Sequence, residues 1–235
     1  MEKIIGIVGG LETETSCHFC LEVNNSIKKI TEAQPRIFME NVPISHKALN
    51  IIARGGFSAE VLGLLVDSVK RLNKVMVDVI VIPCNTVHVF IEDLRKLSDV
   101  PILSIIEETA KECKNRNFKK VGVIGSTTTI KEELYLTELQ KQSIEMVIPS
   151  KEDQHFVSEC IINIVNQNIT QGDKQRMIEI IAKMKEEGAD AIILGCTDLF
   201  LIINREDVVL PLVNSTQVLE EGLINWLKEN RSEEK

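Results

Sequence analysis

Cys84 and Cys196 each follow an aliphatic run and precede polar groups, in Pro83-Cys84-Asn85-Thr86-Val87-His88 and Gly195-Cys196-Thr197-Asp198-Leu199. Each reads as a strand-to-helix turn. Orphan backbone N–H groups and the helix dipole at such a turn stabilise a thiolate, so the expectation is a pKa below the free value of ~8.5. The same N–H groups, with the hydroxyls of Thr86 and Thr197 and the amide of Asn85, can hold a carboxylate. A lone cysteine after an apolar strand is more commonly core filler, because free cysteine is among the most buried residue types. Two at equivalent places argue for chemistry instead. One thiol can take a proton from a carbon while the other delivers one to the opposite face, which inverts a stereocentre.

The elements that must position these thiols follow from hydrophobic pattern. Val- and Ile-rich runs alternate with helical stretches, the pattern of buried parallel strands joined by crossover helices, so the fold class is α/β. Strands are expected at 3–8, 36–41, 77–82, 101–104, 120–125, 145–148, 189–194 and 208–213. The clearest helices are expected at 58–75, 105–115, 130–142, 154–167, 173–187 and 216–228. Three strand-and-turn segments recur in order: Lys3-Ile-Ile-Gly-Ile-Val-Gly9 answers Lys119-Lys-Val-Gly-Val-Ile-Gly125, the strand into Cys84 answers the strand into Cys196, and Val100-Pro-Ile-Leu-Ser104 loosely answers Leu210-Pro-Leu-Val-Asn214. The register drifts by only a few residues between the halves, which reads as a duplication. Two doubly wound lobes with parallel four-stranded sheets, related by a pseudo-two-fold, are therefore expected. The first lobe covers 1–104 with a C-terminal helix at 214–235 returning to it, and the second covers 105–213. Ligand belongs in the crevice between them, outside the carboxyl ends of the strands.

Composition narrows the function. The 235 residues are 44% hydrophobic and 26% charged, the balance of a water-soluble globular chain. A net charge of -8, one Trp and one Tyr supply neither the basic surface nor the stacking platforms of a nucleic-acid binder. No apolar run reaches the ~20 residues of a membrane span, and Met1-Glu-Lys-Ile-Ile-Gly6 turns glycine-rich too soon for a signal peptide, so a cytoplasmic location with free thiols is expected. Cys17-His18-Phe19-Cys20 has redox or half-zinc spacing, but without a second pair it reads as a helix face. His88 is a candidate to tune Cys84, Gly55-Gly56 reads as a loop, and 229–235 as a solvated tail.

With these residues in view, the whole chain resembles the aspartate/glutamate racemase family, most closely its aspartate racemase branch. The resemblance is carried by Gly6-Ile-Val-Gly-Gly-Leu11 with Glu14-Thr15-Ser16, by Pro83-Cys84-Asn85-Thr86 with His88, by Val121-Gly-Val-Ile-Gly-Ser126 with Thr129, and by Leu194-Gly195-Cys196-Thr197. It implies an isomerase acting on a small amino acid with neither pyridoxal phosphate nor metal, and a homodimer. It also implies Cys84 and Cys196 as the two acid/base thiols. Asn85, Thr86 and Thr197 would help to hold the α-carboxylate, with Thr15, Ser16, Ser126 and Thr129 as polar neighbours. Alternatives are a one-cysteine isomerase, decarboxylase or hydrolase of the same fold, and a non-catalytic module that binds a small acid.

The chain departs from the family pattern where substrate is read. Glu12 and Thr13 replace the usual Gly-Pro, and Glu12 is expected to be a solvated loop residue pointing away from the site. Asn214-Ser215-Thr216 replaces Asp-Ser-Thr, and Cys-Thr-Asp replaces the commoner Cys-Thr-Glu, with Asp198 keeping the charge at shorter reach. Basic residues that would hold a distal carboxylate are missing: 152–173 contains no Lys or Arg and offers only His155, while the first half offers His46, Lys47 and Arg54. A substrate less acidic than aspartate is the resulting expectation.

Overall fold

In the computed structural model, which describes residues 3–230, each half of the chain builds one parallel sheet. The first half runs β1 (Ile4–Gly9), α1 (Thr13–Thr31), β2 (Arg36–Asn41), α2 (His46–Ala53), α3 (Ala59–Lys74), β3 (Val79–Val81), α4 (Ile91–Arg95), β4 (Ile102–Leu103) and α5 (Ile105–Asn115). The second runs β5 (Lys120–Gly125), α6 (Thr127–Lys131), α7 (Leu136–Lys141), β6 (Glu145–Val147), α8 (Lys151–Val165), α9 (Gln171–Glu186), β7 (Ala191–Gly195), β8 (Leu212–Asn214) and α10 (Ser215–Glu229). Strand orders are β2-β1-β3-β4 and β6-β5-β7-β8, every pairing parallel. The recurring segments thus occupy the same places in both sheets. Even a lock at the strand start is repeated: the Asp78 carboxylate accepts from the Ile4 N–H, and the Asp190 carboxylate accepts from the Lys119 N–H, both at 2.7 Å.

Alternation along the strands assigns each sheet face a partner. Ile5, Ile7, Val79 and Val81 from one sheet, with Val121, Val123, Ala191 and Ile193 from the other, face a shared core with α1, α5, α7 and α10. Ile80 and Ile82 point the other way, onto α2 and α3. Ile192 and Leu194 point onto α8 and α9. Two sheets therefore enclose a common layer of helices, with further helices outside. Helix α10 packs against α5 and α1. Of the expected tail, 231–235 lie outside the described residues.

The expected helix at 130–142 is broken. Helix α6 stops at Lys131, Glu133 takes a left-handed φ of 51°, and α7 starts only at Leu136. The break turns Tyr135 inward, where it is fully buried. Helix α2, whose eight residues are too few to stand out as a helical run, was not expected and crosses over the site. Helix α1 carries the Cys17/Cys20 pair on its flank, Cys17 exposed and Cys20 half-buried. No helix among the described residues is long and apolar enough to cross a membrane.

Candidate active site

Strands β3 and β7 deliver the two thiols. Pro83 ends the β3 ladder because it has no N–H to donate, and the Cys84 N–H turns back onto the Ile82 carbonyl at 2.8 Å. Gly195 ends β7, where a Cβ would press on the Ile124 carbonyl oxygen at 3.0 Å. Cys84 and Cys196 are both half-buried. Both line one cleft of about 70 Å³, with Asn85, Thr86, Thr197, Asp198, Glu12 and a wall of apolar residues. Burial pushes Cys84 up to about 11; N–H groups of Val87 and Thr86 offset this only in part, and the Asp198 charge adds to it. Cys196 is raised well above an ordinary thiol by burial first and then by the Asp198 charge. The expected low thiol pKa is thus corrected. Each cysteine is followed not by a full α-helix but by a short 3₁₀ turn, Thr86–Phe90 or Leu199–Leu201, whose few aligned peptides do not outweigh lost hydration.

Asp198 gives Cys196 a proton partner. The Cys196 thiol donates to Asp198 Oδ2 at 3.8 Å, and the Thr15 hydroxyl donates to Asp198 Oδ1. Burial raises the Asp198 carboxyl above its usual range, helped by the charges of Glu12 and Glu14, against the hydrogen bonds from Thr15 and Cys196. Glu12 is half-buried and lines the cleft while accepting the Glu14 N–H at 3.4 Å, so it does not point away as expected. Its place is fixed by capping α1, which orients the carboxylate toward the strand ends.

His88 does not reach a thiol. Its Nδ1–H donates to the Cys84 carbonyl at 2.7 Å and its Nε2 accepts the Ile105 N–H at 3.3 Å, the pattern of a neutral ring. Burial lowers its pKa to about 4, so it stays neutral and fixes the backbone of the Cys84 turn.

A family model described as Asp/Glu/hydantoin racemase matches residues 8–221. The chain belongs to the Asp/Glu/hydantoin racemase family. Among relatives, a broad specificity amino-acid racemase of Bacillus subtilis is 28% identical over 227 residues, which span 94% of this chain and 97% of that protein. A glutamate racemase of Aquifex pyrophilus is 29% identical over 200 residues, 81% of this chain and 71% of that one. Among solved structures, the aspartate racemase of Picrophilus torridus superposes with a TM-score of 0.78 at 24% identity, covering 96% of this chain and 94% of that one. The glutamate racemase of Francisella tularensis in complex with D-glutamate gives 0.70 at 20% identity, over 97% of this chain and 82% of that one. Family membership places the chain among the isomerases.

The polar residues that the racemase resemblance points to fall in four places. Asn85, Thr86 and Thr197 line the cleft beside the thiols. Thr15 lines an adjoining cavity and holds Asp198. Ser126 and Thr129 stand behind the cleft: Thr86 Oγ lies 2.9 Å from Ser126 Oγ, which lies 3.0 Å from Thr129 Oγ. This hydroxyl chain joins the turn after β3 to the N-terminus of α6. Ser16 accepts the Gly10 N–H at 3.1 Å and donates to the Glu12 carbonyl at 2.7 Å, so it shapes the opening loop and does not line the cleft. Asn214 caps α10 by accepting the Thr216 N–H at 3.0 Å.

Three residues to which the sequence reading gave no part in the site complete it. Besides Asp198, the Tyr135 hydroxyl donates to Asn85 Oδ1 at 2.5 Å, Asn85 Nδ2 donates to Ser215 Oγ at 3.0 Å, and Ser215 donates to the Leu194 carbonyl at 2.7 Å. This buried relay fixes the Asn85 amide across the two sheets and leaves one amide N–H for a ligand. The cationic candidates stay outside. His155, His46, Lys47 and Arg54 are exposed, Arg54 pairs with Glu159 at 3.0 Å, and no Lys or Arg among the described residues lines the cleft.

Proposed function

We propose that the protein racemises an amino acid by a two-base mechanism with Cys84 and Cys196 as the proton carriers. The observation that carries this reading is the pair of thiols, delivered by equivalent turns of two matching sheets into one cleft. One sulfur acts as thiolate and takes the α-proton: the Cα–H bond breaks, an S–H bond forms, and the electron pair delocalises into the α-carboxylate. The opposite thiol then gives its proton to the other face of Cα and becomes the thiolate, so atoms and charge balance and the roles reverse for the return reaction. The N–H groups and hydroxyls around Asn85, Thr86 and Thr197 stabilise the carboxylate as charge flows into it, backed by Ser126 and Thr129, while Ser16 shapes the opening loop. Thr15 holds Asp198, and Asp198 with Glu12 faces the substrate ammonium. Asp198 receives the hydrogen bond of the Cys196 thiol, which places the carboxylate to exchange a proton with that sulfur.

In this reading 1–104 with the C-terminal helix 214–235, and 105–213, are two lobes whose separation admits substrate. A homodimer in the cytoplasm is the accompanying expectation, tested by light scattering and cell fractionation. Proton NMR in D₂O with both enantiomers of a panel of amino acids tests the chemistry. Loss of the α-proton signal from both enantiomers of one amino acid, abolished by Cys84→Ser and by Cys196→Ser, is the expected result. Turnover that survives one of the two replacements would assign a one-cysteine reaction instead. Ligand binding with no exchange in the unmodified protein would assign a binding module.

A further inference from the structure

The two-thiol reading leaves the substrate's side chain to be placed, and any selectivity inferred for that side chain rests on the same reading. The cleft has two chemically distinct sides. Cys84, Asn85, Thr86, Cys196, Thr197 and Asp198 form the side where Cα and its carboxylate must sit. The facing wall consists of Leu49, Ile52 and Ala53 from α2 and Ile161, Ile162 and Val165 from α8. Asn50 is the sole polar residue that these two helices add among the described lining residues. A side chain leaving Cα away from the polar groups has only this aliphatic wall to meet.

The basic groups nearest that wall are already used on its outer rim. Arg54, just past α2, pairs with Glu159 of α8 at 3.0 Å. Lys131 Nζ donates to the Gly55 carbonyl at 3.2 Å, and the Thr128 hydroxyl donates to the Ile52 carbonyl. These contacts draw α2 across the cleft and leave its inner surface without a cation. The charges inside, Glu12 and Asp198, are both acidic. An α-ammonium answers one of them, whereas a distal carboxylate would add a further negative group to a site with no Lys or Arg among its described lining residues. A distal ammonium would be buried against Leu49, Ile52 and Ile161, away from water.

We propose that the cleft selects amino acids with uncharged aliphatic side chains, and that Ala53 and Val165, half-buried at the two edges of the wall, set this preference. The test is α-proton exchange in D₂O at matched concentrations of alanine, valine, leucine, methionine, aspartate, glutamate and lysine. The expected result is kcat/KM for the best aliphatic substrate at least about 100-fold above aspartate and lysine, the discrimination an unpaired buried charge imposes. Val165→Arg, or Ala53→Arg should the first not fold, puts a guanidinium on the wall. It is expected to lower kcat/KM for leucine and to raise it for aspartate at least about tenfold, mainly through KM. Exchange of aspartate, glutamate or lysine as fast as leucine would overturn the inference and leave the two-thiol reading standing. A folded protein that exchanges none of the panel would overturn the two-thiol reading and the inference with it.

Discussion

Alkylation should report the resting ionisation of Cys84 directly, because iodoacetamide reacts with the thiolate and its rate follows the thiolate fraction. Burial pushes this thiol up to about 11 from an ordinary 9.0. At pH 8 such a group is ionised to about one part in a thousand, against about one part in ten for an ordinary cysteine, a deficit of about a hundredfold. Its labelling should therefore climb about tenfold per pH unit from pH 8 to about 10 without levelling off. Timed labelling followed by peptide mass spectrometry separates Cys84 from the other cysteines, and exposed Cys17 serves as the accessible reference. Asp198→Asn sharpens the test. Removing the charge that raises both thiols should shift the Cys84 profile to lower pH and speed labelling at pH 8, while α-proton exchange slows because Cys196 loses its proton acceptor. Reactivity and turnover then move in opposite directions. A Cys84 profile that levels off between pH 7 and 8, or one that Asp198→Asn leaves in place, would refute the balance of burial over backbone N–H stabilisation.

Further outcomes are expected from other parts of the molecule. Tyr135→Phe leaves Asn85 Oδ1 without its buried donor, so thermal or urea denaturation should show a loss of about 1–3 kcal/mol, and substrate KM should rise as the amide loosens. Asp153 is buried, which raises its carboxyl, but hydrogen bonds from Lys183 and Ser150 and the charges of Lys183 and Arg176 outweigh this and hold it below the usual range. Its stabilisation is therefore present above the unfolded value and lost as pH falls through the lowered one; Asp153→Asn should be less stable at pH 7, with the gap to wild type closing below about pH 4. Burial raises Cys113 and Cys160 to about 12 each, so both contribute stability below the unfolded value of 9.0 that is lost as pH rises toward 12. Urea melts should weaken from pH 9 to about 11, less steeply in a Cys113→Ala, Cys160→Ala variant. Gly10 holds a φ of 85° where a Cβ would collide with the Val42 backbone, so Gly10→Ala should yield little folded protein by circular dichroism.

Where the chain's own periodicity fixes structure, the sequence was a good guide. Strands β2 and β5 have the expected ends, because an alternating or fully buried run bounded by polar residues has one register that hides its apolar side chains. The pairing of Cys84 with Cys196 was legible for the same reason: each is the first reactive group after such a run. Partners set by long-range geometry were not. Tyr135 lies 50 residues from Asn85 and Ser215 lies 130 from it, and nothing local marks either as part of the site. The break before α7 that turns Tyr135 inward depends on a left-handed Glu133, a conformation no residue type there announces. Glu12 misled because its role depends on where α1 begins, and Asp198 because a triplet gives no hint of burial.

The same contrast explains how a scaffold of two matching sheets can carry out an unsymmetrical task. The matching strand orders give the thiols equivalent backbone positions, but the residues after them differ, and with them the route available to each proton. Cys84 is followed by a turn whose histidine is neutral and spent on a carbonyl, so among the described residues its sulfur takes hydrogen bonds from the backbone N–H groups of Val87 and Thr86 and none from a titratable side chain. Cys196 is followed two residues later by a buried carboxyl that receives its thiol hydrogen bond and lines a second cavity beyond the cleft. In the proposed two-thiol mechanism a proton taken up by Cys196 can pass to Asp198 and exchange with water there, whereas one taken up by Cys84 is held until it returns to carbon. The enantiomer that Cys196 deprotonates should accordingly wash its α-proton into D₂O faster than it inverts, and the other enantiomer should exchange only as it inverts. Equal exchange-to-inversion ratios for the two enantiomers would show that the carboxyl beside Cys196 does not serve as its proton outlet.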